Sequence, residues 1–168
     1  MQNITMRNNT AYNYCFGMNL TGAVIKLDHI VMKDNQVPSL PSSEFDRGGG
    51  GFDIGIRDTL IISNSQFINN THYSENGWAN FRVYSDYTQF SPTYTLENYL
   101  FADNKSYSGA RDIDIFEGEQ LNVINCTFAN NYGTYDDHLL LGTNVNRFVN
   151  CLFANNNAAF ETRHLLHG

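Results

Sequence analysis

Apolar and polar residues alternate in short runs along this chain, and each run closes on asparagine. Leu121 and Val123 stand two apart, and after them Cys126 and Phe128 flank Thr127. Period two is the mark of a strand with one buried face. The apolar residues do not fall at helical spacing, and the glycine and asparagine load would break helices.

The runs repeat. Asn64-Ser65-Gln66-Phe67-Ile68-Asn69-Asn70 returns as Asn98-Tyr99-Leu100-Phe101-Ala102-Asp103-Asn104, as Asn125-Cys126-Thr127-Phe128-Ala129-Asn130-Asn131 and as Asn150-Cys151-Leu152-Phe153-Ala154-Asn155-Asn156. Degenerate copies run from His29 to Asn35 and from Asn3 to Asn9. The closing asparagines, at 9, 35, 70, 104, 131 and 156, lie 26, 35, 34, 27 and 25 residues apart. Between the blocks comes a second apolar segment: Gly22-Ala23-Val24-Ile25, Phe52-Asp53-Ile54-Gly55-Ile56, Phe81-Arg82-Val83-Tyr84, Asp112-Ile113-Asp114-Ile115 and His138-Leu139-Leu140-Leu141.

A unit this short cannot bury its apolar face alone, so the units must stack. Each strand then pairs in parallel with its copy one unit along. The expected fold is all-β, one domain over residues 1–168. It is a right-handed parallel β-helix solenoid of about six rungs, uncapped at both ends, with loop insertions at 36–51 and 71–93. In that register Phe67, Phe101, Phe128 and Phe153 form an internal ladder, continued by Met32 and Met6. Asn64, Asn98, Asn125 and Asn150 form a second ladder, expected on an inward turn where stacked amides satisfy one another.

The N-x-x-F-x-x-N block, with its Gly-Ala-Val-Ile or Gly-Gly-Gly-Phe segment, resembles right-handed parallel β-helix proteins of the pectate-lyase-like group. It is similar in particular to the repeats of polymorphic outer-membrane proteins and related adhesins. The resemblance covers nearly the whole chain and implies an extracellular or cell-surface location. For function it implies a structural or adhesive module. One β-helix scaffold also hosts polysaccharide lyases and hydrolases, so a fragment of a carbohydrate-active enzyme is the alternative, and a self-assembling fibre subunit a further one.

Composition supports the β reading: 23 of the 168 residues are asparagine, ten are tyrosine and thirteen glycine, types that suit strands and turns. The formal net charge of -7 provides no positive footprint for nucleic acid or for anionic lipid. No apolar run is long enough for a transmembrane helix. The first residues already belong to a block and the last, Leu165 to Gly168, to a second segment. The expected partners are therefore flanking rungs of the same polypeptide or neighbouring copies, with carbohydrate a further candidate.

If the chain is an enzyme, its candidate catalytic group is Asp112, Asp114, Arg111 and Asp137, with Asp53 in a matching segment. Asp112 and Asp114 alternate with isoleucines and so share a sheet face, where paired carboxylates can divide acid–base work or bind Ca²⁺, the one cofactor the pattern suggests. Without catalysis these are the ordinary polar positions of a solvated sheet. His138 and His164 occupy matching places, which suits a turn ladder better than a metal pair, and no zinc spacing occurs. Trp78, Tyr84 and Tyr135, with Tyr73, Tyr87 and Tyr132, are candidate sugar contacts or loop packing. Of six N-x-[ST] sequons, Asn8, Asn19 and Asn69 are the expected glycosylation sites. Asn3, Asn104 and Asn125 are expected on ladders where a glycan does not fit. Cys126 and Cys151 fall in neighbouring units at a separation of about 4.8 Å, expected as stacked thiols rather than a relaxed disulfide.

Overall fold

The structure, a computed structural model, describes residues 1–10, 18–38, 51–73, 78–85, 91–107, 111–133, 139–157 and 160–162. Among them there is no helix. In chain order the strands are β1 (Gln2–Arg7), β2 (Asn19–Lys33), β3 (Gln36–Val37), β4 (Phe52–Ser63), β5 (Gln66–Ile68), β6 (Thr71–His72), β7 (Trp78–Ser85) and β8 (Thr93–Glu97). They continue with β9 (Leu100–Ala102), β10 (Lys105–Ser106), β11 (Arg111–Ile124), β12 (Thr127–Ala129), β13 (Tyr132–Gly133), β14 (Leu139–Val149), β15 (Leu152–Ala154) and β16 (Phe160–Thr162). Twelve of them make one curled sheet and β13, β10, β6 and β3 make a second.

Every strand pairing is parallel, and each joins a strand to its counterpart in the next repeat. Phe67 pairs with Phe101, Phe101 with Phe128, and Phe128 with Phe153. The second apolar segments align likewise: Phe52 with Phe81, Phe81 with Ile113, and Ile113 with Leu139. Shifts of register at Gly22/Val24 and Ile115/Gly118 each take up a single extra residue, as a β-bulge does.

The corners are set by left-handed residues. Twelve non-glycine residues have positive φ, and they form six pairs five residues apart: 3 and 8, 29 and 34, 64 and 69, 98 and 103, 125 and 130, 150 and 155. All are asparagine except His29, Asp34 and Asp103. Left-handed backbone costs most L-residues about 1–2 kcal/mol, and Asn and Asp are the tolerant exceptions. The first and sixth places of each block are therefore asparagine for conformational reasons. They bend the chain out of the long strand into the three-residue strand, and then into the second sheet.

Inside the curl lie Leu27, Ile30, Met32, Phe52, Ile54, Ile56, Leu60, Ile62, Phe67, Val83, Leu96, Tyr99, Phe101, Ile115, Leu121, Val123, Cys126 and Phe128. Its aromatic column runs Phe52, Phe67, Tyr99, Phe101, Phe128, Phe153, with neighbouring ring centroids 5.0–6.2 Å apart. Tyr99, from the second place of its block, fills the gap beside Phe67. Phe153 ends the column and is exposed, not interior as the repeat pattern predicts, because among the described residues only β12 pairs with β15.

Two further expectations change. The ladder of Asn64, Asn98, Asn125 and Asn150 is exposed, since the left-handed corner turns these side chains outward. Asn98, Asn125 and Asn150 each still donate an amide to the asparagine before, at 3.1, 3.4 and 3.2 Å. The buried ladder is instead the closing one, Asn35, Asn70, Asn104 and Asn131. The insertions are also narrower than 36–51 and 71–93, because β3, β6 and β7 lie within those bounds.

The closing ladder is directional. Oδ1 of Asn70 accepts the backbone N–H of Asn35 at 3.1 Å and its side-chain amide at 3.0 Å. Nδ2 of Asn70 donates onward to Oδ1 of Asn104 and backward to the Met32 carbonyl. Asn104 and Asn131 repeat the pattern with the Phe67 and Phe101 carbonyls. A primary amide offers two donors and accepts twice, so each of these buried side chains is fully satisfied.

Candidate functional site

On the outer face of β4 and β7 a carboxylate and a guanidinium form an ion pair. Phe52, Ile54 and Ile56 point into the core, so Asp53 and Gly55 point out. Asp53 pairs in register with Arg82, and Arg82 with Asp114. The Arg82 guanidinium grips Asp53 by both oxygens, Nε to Oδ1 at 3.0 Å and one terminal nitrogen to Oδ2 at 3.1 Å. It also lies 4.9 Å from the centre of the Tyr84 ring. Tyr84 in turn covers Gly55, where a Cβ would meet its hydroxyl at 3.2 Å.

Part of the candidate catalytic group lies on β11, the strand next to β7. Arg111, Asp112 and Asp114 all lie on β11, with Arg111 aligned to Trp78 and a shift of register between Arg111 and Ile113. Their side chains, and that of Trp78, lie outside the described residues, as do Asp137, Tyr87, Tyr135, His138, His164 and Cys15 entirely. What the strand register adds is Arg82, a cation between Asp53 and Asp114. The sequence signal for it was the alignment of Phe81-Arg82 with Phe52-Asp53. A carboxylate held by both oxygens to a guanidinium is charge-satisfied and poorly placed to act as a free base.

A second cluster sits at the exposed corner. Asp28 Oδ1 accepts from the Ser63 hydroxyl at 2.8 Å and from the Asn64 amide at 2.9 Å, and Oδ2 lies 2.8 Å from His29 Nδ1. These hydrogen bonds, the one from Asn64 foremost, lower the Asp28 carboxyl from its ordinary 3.8 to about 2. The serine faces the carboxylate and not the imidazole, so the trio lacks the order of a nucleophilic triad.

The tyrosines form a row on the second sheet. Tyr73 and Tyr107 stack face to face at 4.8 Å and 3°, and Tyr132 follows at 5.5 Å. Tyr73 and Tyr107 turn their faces to one another, and Tyr132 is tilted by 48° to Tyr107. Tyr107 was not singled out by the sequence. Beside the row, a shallow groove of about 470 Å³ follows the sixth-place corner, lined by Lys33, Asp34, Ile68, Asn69, Asp103, Lys105 and Asn130. Within it Asn69 donates to Asp34 at 2.7 Å and Asn130 to Asp103 at 3.1 Å.

Of the sequon asparagines, Asn8, Asn19 and Asn69 are exposed, and Asn104 is fully buried. Asn3 and Asn125 are exposed as well, because the first-place ladder faces solvent. Cys126 and Cys151 are free thiols. Cys126 donates to the Ile124 carbonyl at 3.1 Å, and burial pushes its thiol up to about 11. Among the described residues no three His, Cys, Asp or Glu side chains converge as metal ligands, and no helix is long and apolar enough to cross a membrane.

Comparison with protein-family models, with curated proteins and with solved structures gave no match.

Proposed function

We propose that the chain is a right-handed parallel β-helix of about six rungs, working as a structural or adhesive module on a cell surface or in a secreted protein. Support for the helix comes from the six pairs of left-handed corners and the unbroken parallel register. The hand follows from the strong preference of parallel crossover connections for right-handed turns. The outside location rests on the resemblance to adhesin-type repeats and on exposed sequons at Asn8, Asn19 and Asn69.

The observation that carries the function is the closing asparagine ladder, which joins every rung from Asn9 to Asn156. It satisfies buried polar groups along the whole coil and rigidifies it without presenting anything to a ligand. Such a rod is a support. Recognition falls to the connections between the two sheets, the longest of which lies between β3 and β4. Insertions in solenoids commonly gather on a binding face.

The test displays the chain on beads and measures adhesion to cells and to immobilised glycans. Exchanging residues 39–50 for a short glycine–serine link is expected to abolish adhesion and leave the melting temperature unchanged. Adhesion that survives the exchange counts against recognition by that connection. Cleavage of pectate or alginate with Ca²⁺, abolished by Asp114→Asn, would replace this reading with the enzymatic one.

A further inference from the structure

We infer that Cys126 and Cys151 form a two-coordinate site for a soft, thiophilic cation of the Cu(I) kind, held between two neighbouring rungs. The inference needs only the parallel register described above, whatever the role of the chain. Of the six blocks, only these two adjacent ones carry cysteine at the second place, where the others have Ile4, Ile30, Ser65 and Tyr99. The rungs are locked in register on either side of the pair. Ile124 lies opposite Val149 and Thr127 opposite Leu152, and the Leu152 N–H donates to the Cys126 carbonyl at 2.9 Å. Both side chains are free thiols.

The two sulfurs adopt the same posture. Cys126 Sγ lies 3.1 Å from the Ile124 carbonyl oxygen, two residues back, and 3.4 Å from that of Leu96 in the preceding rung. Cys151 Sγ lies 3.4 Å from the Val149 oxygen, again two back, and 3.3 Å from that of Val123 in its own preceding rung. Leu96 and Val123 hold equivalent places, so one thiol is the other translated along the coil by one strand spacing. That spacing is about 4.8 Å, more than twice the roughly 2 Å of a disulfide bond. A metal–sulfur bond is about 2.3 Å, so a linear sulfur–metal–sulfur unit spans about 4.6 Å and fits without moving either strand. Soft, closed-shell Cu(I) prefers thiolate ligands and is stable with two of them in line. Zinc needs four ligands, and among the described residues no third His, Cys, Asp or Glu joins the pair. Cys126 is buried, which keeps water from adding to the coordination. Binding breaks both S–H bonds, sends two protons to solvent and leaves the copper monovalent.

Anaerobic titration of the full chain carrying Cys15→Ser with Cu(I), in competition with the chelator bicinchoninate, tests this. The expected result is one Cu(I) taken from the chelator per chain. The melting temperature should rise until one equivalent is bound, and X-ray absorption should show two sulfur neighbours. Cys126→Ser and Cys151→Ser should each lose the uptake and the rise while keeping a strand-type circular dichroism spectrum. Where one serine variant does not melt cooperatively, the other decides, because each removes half of the ligand set. Zn(II) offered in place of Cu(I) should leave the melting temperature unchanged. No uptake, two ions per chain, uptake undiminished in a serine variant, a third ligand in the absorption spectrum or an equal rise with Zn(II) overturns the proposal. So does a Cys126–Cys151 disulfide that closes in air without loss of stability, since the sulfurs then stand closer than the register puts them.

Discussion

Oδ1 of Asn131 receives two hydrogen bonds from Asn104, the backbone N–H at 3.1 Å and the side-chain amide at 3.0 Å. Asn104 is fully buried and also donates to the Phe67 carbonyl at 2.9 Å. Asn104→Ala removes the acceptor of both the Asn70 backbone N–H and its side-chain amide, and takes one hydrogen bond each from Asn131 Oδ1 and the Phe67 carbonyl. Each unsatisfied buried group costs about 1–3 kcal/mol, so a loss of about 3–5 kcal/mol is expected in denaturant unfolding.

The exposed corner responds differently. Asn125 has φ of 53°, donates its amide to Asn98 over a long 3.4 Å and accepts that of Asn150 at 3.2 Å, both exposed. Asn125→Gly, which keeps the left-handed backbone, should change stability by less than about 0.5 kcal/mol. Asn125→Val should cost about 1–2 kcal/mol through backbone strain. Equal losses for the two variants would mean that the amide and not the conformation is what the corner needs.

These two asparagine classes show what the sequence reveals and what it hides. The repeat spacing revealed the parallel register and the column of Phe67, Phe101 and Phe128, because period-two burial leaves a direct trace in residue type. It did not reveal which asparagine ladder is buried. The first and seventh places carry the same residue, and only backbone φ separates them: Asn64 is turned out by a left-handed corner and Asn70 folds in. On the outer face, Asp53 was legible as an outward carboxylate. Arg82 was not, because its importance depends on which repeats are neighbours, and the insertions obscure that alignment.

In the core, Phe128 touches Tyr99, Phe101 and Phe153 and is 3% exposed. Phe128→Ala should destabilise the chain by about 3–5 kcal/mol. Phe153→Ala, at the half-covered end of the column, should cost less than half as much in the monomer. Thermal or denaturant melts of the two variants side by side decide it.

The thiols should differ in reactivity. A thiol pushed up to about 11 is thiolate to roughly one part in a thousand at pH 8. With Cys15 replaced by serine, a disulfide reagent should label the half-buried Cys151 well before Cys126. Comparable rates would place Cys126 nearer solvent than its burial allows.

Acid titration tests the exposed corner of Asp28. Its carboxyl is lowered from 3.8 to about 2, chiefly by the Asn64 amide and then by His29 and Ser63. A folded-state value below the unfolded one means that the unfolded chain binds the proton more readily, so the native state loses stability as pH falls. The contribution is complete above about 4 and disappears as the pH falls through about 2. Asp28→Asn should flatten that part of the acid-unfolding curve, and Asn64→Gly, which keeps the corner but removes the leading donor, should move the Asp28 titration back toward 3.8. Carboxyl-carbon NMR of Asp28 reads this directly. An unchanged titration in Asn64→Gly would assign the shift to His29 and Ser63 and would separate the first-place asparagine ladder from the electrostatics of this corner.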